Sequence, residues 1–151
     1  KDYGAGTVML NIGIMGLAGL LIPVALGAPI NGPVAGSMLM AVGFGAFGMH
    51  PRNALPVAAG ALLAGAAGIY PLNGTGTLVV VMFSTTLSPI AGSFGVPAGV
   101  LAGIAHMAVA SQLAGLQGGA NLYNNGFAGG LVATVLVAAL LALGLRERPQ
   151  P

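Results

Sequence analysis

Residues 127–145 read FAGGLVATVLVAALLALGL, and Arg146-Glu147-Arg148 follow at once. A helix needs about 20 mostly apolar residues to cross a bilayer's hydrocarbon core. This stretch has that length, carries no charge and stops where charge begins. Moving toward the N-terminus, the next charged residue is Arg52, and none separates Arg52 from Asp2. The 151 residues hold six charged side chains in all: Lys1, Asp2, Arg52, Arg146, Glu147 and Arg148. They make up 4% of the chain, whereas a soluble domain carries about 25%. A water-facing globule cannot be covered with so little charge.

The composition therefore excludes a soluble enzyme and a disordered linker. A net charge of +2 without a basic stripe excludes a nucleic-acid partner. With no cysteine there is no disulfide framework, thiolate metal site or cysteine nucleophile. What remains is an all-α, polytopic integral membrane protein whose main partner is the lipid bilayer. Blocks such as Val79-Val80-Val81 and Leu140-Leu141 lack the period of two that a barrel strand needs.

Polar punctuation divides the chain into about six segments, some short or broken. They are Gly4 to Leu26, Val34 to Gly48, Ala54 to Tyr70, Thr77 to Leu87, Ala98 to Leu116 and Phe127 to Leu145. Ser88-Pro89 and Gly92 to Pro97 interrupt or close the fourth, and Gln117 to Gly126 reads as a polar loop. Six spans put Lys1, Arg52, Arg146 and Arg148 on one side. Positive loops stay in the cytoplasm, so both termini are expected there, in a multi-pass protein of the inner (plasma) membrane. Lys1 without a preceding Met suggests a trimmed chain. The first run is too long, and lacks the small-residue cleavage pattern, for a signal peptide.

Three polar breaks share an Asn-Gly pair: Asn31-Gly32, Asn73-Gly74 and Asn125-Gly126. The first two are each followed by Leu55-Pro56 or Val96-Pro97 and another apolar run, which suggests tandem two-helix units. Two readings of the pair stand. Asn caps a helix start and Gly turns the chain in an interfacial loop, or broken helices aim their N-terminal ends into the protein at membrane depth.

Glycine and alanine recur at helical spacing: Gly13, Gly16 and Gly19; Ala61, Gly65 and Gly68; Gly99, Gly103 and His106. Small residues let helix backbones approach in lipid, and tight packing is the expected role. His106 is the one ionisable side chain inside a predicted span, which makes it a functional candidate or a helix–helix donor. His50 belongs to the solvated Arg52 turn, and two distant histidines make no metal site. Ser84, Thr85, Thr86 and Ser88 precede Pro89. They either satisfy carbonyls freed by the proline or line a polar path. Gln117, Asn121, Tyr123, Asn124 and Asn125 form an interfacial loop or a vestibule. No phosphate-binding or dinucleotide motif implies a cofactor. Ser93 departs from the Gly-x-Ser-Gly start of rhomboid-like proteases, since Phe94 stands where Gly belongs, so an enzyme is not expected.

The runs Gly118 to Gly130, Leu87 to Gly95 and Gly43 to Gly48, with Asn31-Gly32-Pro33, are distinctive. They resemble an uncharacterised family of bacterial multi-spanning membrane proteins, the domain of unknown function 1576, from Tyr3 to about Val137. The resemblance implies a membrane location and no assigned activity. Its members are longer, so the chain, a single transmembrane domain over 1–151, looks like one half or a carboxy-terminal portion. A second analogy is to urea-channel proteins, which use repeated helix units and a Tyr-Asn-Gly turn. Tyr123 and Asn125-Gly126 look alike, with Asn124 intervening.

The expectation is a channel or facilitator for a small uncharged or weakly polar solute. Asn31, Asn73, Ser84, Thr85, Thr86, His106, Tyr123 and Asn125 are its candidate lining residues. The alternative is a non-catalytic membrane subunit or scaffold that packs against larger partners. Either way the chain is expected to form a homo-oligomer or join a larger membrane complex.

Overall fold

A computed structural model of the chain describes residues 4–116, 118, 122–145 and 147, with Gly68 and Ile69 described by backbone alone. Lys1, Asp2, Gln117, Asn121, Arg146 and Arg148 lie outside the described residues, and with them three of the four cations expected to share one side. The described chain is helical, without strands. Helix α1 is Ala5–Ala25, α2 Gly32–Phe44, α3 Pro51–Ala64, α4 Thr75–Ser84, α5 Ser88–Phe94, α6 Val96–Leu116 and α7 Leu122–Ala142. Three irregular turns extend them. A 3₁₀ turn at Gly45–Phe47 follows α2, a π turn at Gly65–Ile69 follows α3, and a 3₁₀ turn at Thr85–Leu87 joins α4 to α5. Four runs are long and apolar enough to cross a membrane: α1, Thr75–Phe94, α6 and α7. Gly32–Phe47 is apolar but shorter.

Local chemistry explains the boundaries. The Asn31 side chain accepts from the Val34 N–H at 3.2 Å, and Pro33 sits in the first turn of α2, where its missing N–H is harmless. Pro51 starts α3 in the same way, while the Asn53 side chain accepts from the His50 N–H at 2.9 Å. The helix carrying α2 stops at Gly48 (φ 96°) and the one carrying α5 stops at Gly95 (φ 95°). Both glycines hold a left-handed φ that other residues rarely adopt. The two Asn-Gly-led units thus share a plan: an irregular first helix, a left-handed glycine, then a second helix starting beside a proline.

The second helices of the two units, α3 and α6, cross with their backbones in contact. A Cβ on Gly103 would overlap the Val57 carbonyl, one on Gly60 would overlap that of Val100, and one on Gly99 would come within 2.5 Å of Ala91 Cβ. The pairing runs from Pro56 beside Gly99 to Ala61 beside Gly103, so the two helices run parallel. Parallel repeats are one of the known plans for transport folds. The tight packing expected of Gly99 and Gly103 is what the fold uses them for.

Helix α4 is the centre. Leu78, Val79, Val80, Val81 and Met82 are all buried, and a helix apolar on every side belongs inside. Ala58, Ala61, Met107, Ala110 and Ala128 surround Val80 and Val81, joining α3, α4, α6 and α7. At the other end, Val57, Ile90, Ala98 and Leu140 share a second cluster. Met15, Ala41, Met49 and Ala54 seat α1 and α2 against α3. The outward faces stay apolar: Met9, Leu10, Leu17 and Leu21 on α1, and Val135 and Leu141 on α7, are exposed. Such a surface matches lipid, with the backbone bonded inside helices.

Three expectations change. Helix α7 begins at Leu122, so Asn124-Asn125-Gly126 lie in its first turns and not in a loop. Of the two readings of Ser88-Pro89, interruption holds and closure does not, because the helix tightens at Thr85–Leu87 and continues to Phe94. The hydroxyls of Ser84, Thr85 and Thr86 make this continuity possible, donating to the carbonyls of Val81, Met82 and Phe83 at 2.7, 2.6 and 2.7 Å. Finally, Asn73 caps nothing. Gly74 holds the N-cap position of α4, and Asn73 is exposed.

Candidate functional site

The centre of the site is His106, fully buried half-way along α6. Its Nε2 lies 3.3 Å from the backbone carbonyl oxygen of Asn125 in the first turn of α7. Helix α7 therefore starts deeper in the protein than α6 ends, by roughly 10 Å at 1.5 Å per residue. Leu122 and Tyr123 at its start are exposed, but Asn124 and Asn125 are buried, and the Asn125 amide donates to Asn124 Oδ1 at 3.1 Å. A carbonyl oxygen only accepts, so Nε2 carries the proton in this contact and the neutral ring leaves Nδ1 as a bare lone pair. Nδ1 is buried and has no hydrogen-bond partner among the described residues.

Gly129, one turn further along α7, connects His106 to the hydroxyl run. A Cβ there would lie 3.8 Å from Thr86 Oγ1 and 4.0 Å from the Cδ2 edge of His106. Thr86 in turn lines a cleft of about 400 Å³ with Phe44, Phe47, Asn53, Ser88 and Gly92. This cleft lies at the end of the bundle that carries Arg52. Polar groups thus run from the cleft through Thr86 and past Gly129 to His106 and the two amides.

The fold sorts the predicted residues into separate groups. Thr86, His106 and Asn125 come together. Ser84 and Thr85 are buried beside them, with their protons committed to their own helix. Asn31 is at the opposite end, where its Nδ2 donates to Thr75 Oγ1 at 2.7 Å and ties the first residue of α4 to the cap of α2. Asn73 and Tyr123 do not join either group, Tyr123 being 82% exposed. Sequence reasoning missed Asn11. From within α1 its amide donates to the carbonyls of Gly45 and Met49, both at 2.7 Å, satisfying the irregular end of α2. It is the single amide in the first apolar run, which was the available signal. Gly129 was equally inconspicuous, since nothing in the spacing says what a glycine faces. Outside the membrane segments, His50 has its pKa lowered from 6.5, first by partial burial and then by the Arg52 charge.

Apolar outer faces, helices of spanning length and polar groups held inside make this an α-helical integral membrane protein. The chain belongs to the family described as protein of unknown function (DUF1576), which matches residues 1–142. No curated protein and no solved structure matches it, so the urea-channel analogy gains no support from that side.

Proposed function

We propose that the protein is a channel or facilitator for a small uncharged or weakly polar solute, without enzymatic activity. One observation carries the reading: a fully buried histidine, with one ring nitrogen unpartnered among the described residues, has its Cδ2 edge against Gly129 and Thr86, and Thr86 lines an open cleft. An intramembrane ionisable group is a functional candidate by default, and no carboxylate lies between Asp2 and Glu147 to drive coupled pumping. The cleft lies at the Arg52 end. A cytoplasmic Arg52 turn would make it an entry from the inside of the plasma membrane, with both termini on that side.

Solute flux into proteoliposomes tests this. Wild type is expected to raise flux above protein-free vesicles for at least one of a panel of small neutral solutes. His106→Ala and Asn125→Ala are expected to reduce it. Gly129→Ala is the sharper variant, because its methyl meets only ordinary contacts and yet sits between Thr86 and His106. Background flux for every solute would remove the proposal.

A non-catalytic subunit or scaffold in a homo-oligomer or larger complex is the second reading. The internally satisfied hydroxyls of Ser84, Thr85 and Thr86 favour it. It predicts no flux by the isolated chain and co-purification with a membrane partner or with further copies.

A further inference from the structure

The structure assigns the cleft at the Arg52 end as a binding site for a small neutral amphiphile, an alcohol or a carboxamide, with Ser88 holding its polar group. The assignment rests on the cleft being the entry for the proposed solute, and it names what that entry accepts. Ser84, Thr85 and Thr86 each give their proton to the carbonyl three residues back. Ser88, the fourth hydroxyl of the run, does not. It is 3% exposed, and its hydroxyl makes no hydrogen bond among the described residues. Its Oγ is not sealed off, and the space beside it is the cleft of about 400 Å³ that Ser88 lines. A hydroxyl so deeply placed without a partner is unfavourable, and a group bound in the cleft supplies one.

The rest of the lining fixes the chemistry. The Asn53 amide donates one proton to the Gly48 carbonyl and its oxygen accepts from the His50 N–H, so one N–H remains. Thr86 keeps only lone pairs. Ser88 and Asn53 thus donate to a ligand's oxygen, while Ser88 and Thr86 accept from its O–H or N–H. Phe44, Phe47 and Met49 supply apolar walls, and no charged side chain lines the cleft among the described residues. Aromatic walls with a few polar groups, in a space of this size, are the usual make-up of a small-molecule site.

Three compounds that share a phenyl ring test this: benzamide, toluene and benzoate. The full chain, ¹³C-labelled at its methionine methyls and held in lipid nanodiscs, is read by NMR. Met49 lines the cleft, and Met9, 70% exposed on the outer face of α1, reports partition into the bilayer. Benzamide is expected to shift Met49 saturably. Toluene is expected to move Met49 and Met9 alike without saturating, and benzoate to leave Met49 in place. Ser88→Ala is expected to weaken benzamide about fivefold, one ordinary hydrogen bond, with toluene unchanged. Phe47→Ala, at a residue 86% exposed, removes a wall without touching the core and is also expected to weaken benzamide. A Met49 response to benzamide that matches toluene, persists unchanged in Ser88→Ala, is exceeded by benzoate, or is missing overturns the assignment. Saturable binding without flux in vesicles keeps the site and removes passage. Flux without saturable binding does the reverse, so the two failures are separable.

Discussion

Gly103 of α6 sits so close to Val57 of α3 that no side chain fits between them: a Cβ there would overlap the Val57 carbonyl oxygen and stand 2.8 Å from the Ala61 nitrogen. In lipid no hydrophobic force drives two helices together, so this contact relies on backbone approach and dispersion.

Gly103→Ala and Gly60→Ala are therefore expected to destabilise the protein by about 1–3 kcal/mol, the usual range for overpacking. The gain in helix propensity from Ala offsets only part of that. Gly126→Ala is the control. Its Cβ would meet nothing within 4 Å, so it should be neutral or stabilising by up to about 1 kcal/mol. Equilibrium unfolding in mixed micelles measures all three, and equal behaviour of Gly103 and Gly126 would contradict the crossing.

Asn31 does two jobs, capping α2 and binding Thr75. Asn31→Ala should lower stability by roughly 1–3 kcal/mol, cap and hydrogen bond together. In a double-mutant cycle with Thr75→Val the coupling should be about 1 kcal/mol. Additive single effects would mean that the contact joining the two units contributes nothing.

Asn11→Leu keeps an apolar surface on α1 but strands the carbonyls of Gly45 and Met49. A loss of about 1–3 kcal/mol is expected. Hydrogen exchange in detergent should show the opening confined to the end of α2. Protection there equal to wild type would show the two bonds to be dispensable.

His50 should titrate below 6.5, because burial and then Arg52 disfavour its charged form. The folded state thus binds fewer protons than the unfolded chain just below that pH. The resulting stability is complete above pH 6.5 and fades as pH falls through the folded value. An NMR titration should give a midpoint under 6.5, and Arg52→Gln should raise it only part of the way, burial being the larger cause. A midpoint at or above 6.5 in wild type would contradict this.

Much of the bundle was legible from charge alone. With Arg52 as the sole charged residue between Asp2 and Arg146, helices in lipid were the one local solution, and segment ends followed wherever a residue's own backbone chemistry set them, as at Asn31, Pro51, Gly48 and Gly95. The site was half legible. His106 stood out because a polar ring in an apolar run has no local explanation. Thr86 was marked by Pro89, but its own-helix bond and its place beside His106 belong to different levels of structure. Asn73 and Asn31 look identical in sequence, and only one of them caps.

The solvent, the helical class and the small-residue faces follow from amino-acid order alone, because each depends on composition or on neighbours a few residues away. Only packing across the bundle puts α4 at the centre, crosses α3 and α6 in parallel, and sets Asn125 of α7 beside His106. Those relationships join residues tens of positions apart. Every face of these helices is similarly apolar, so the pattern of hydrophobicity cannot choose between neighbours, and only the fit of backbone against glycine and of donor against acceptor makes the choice.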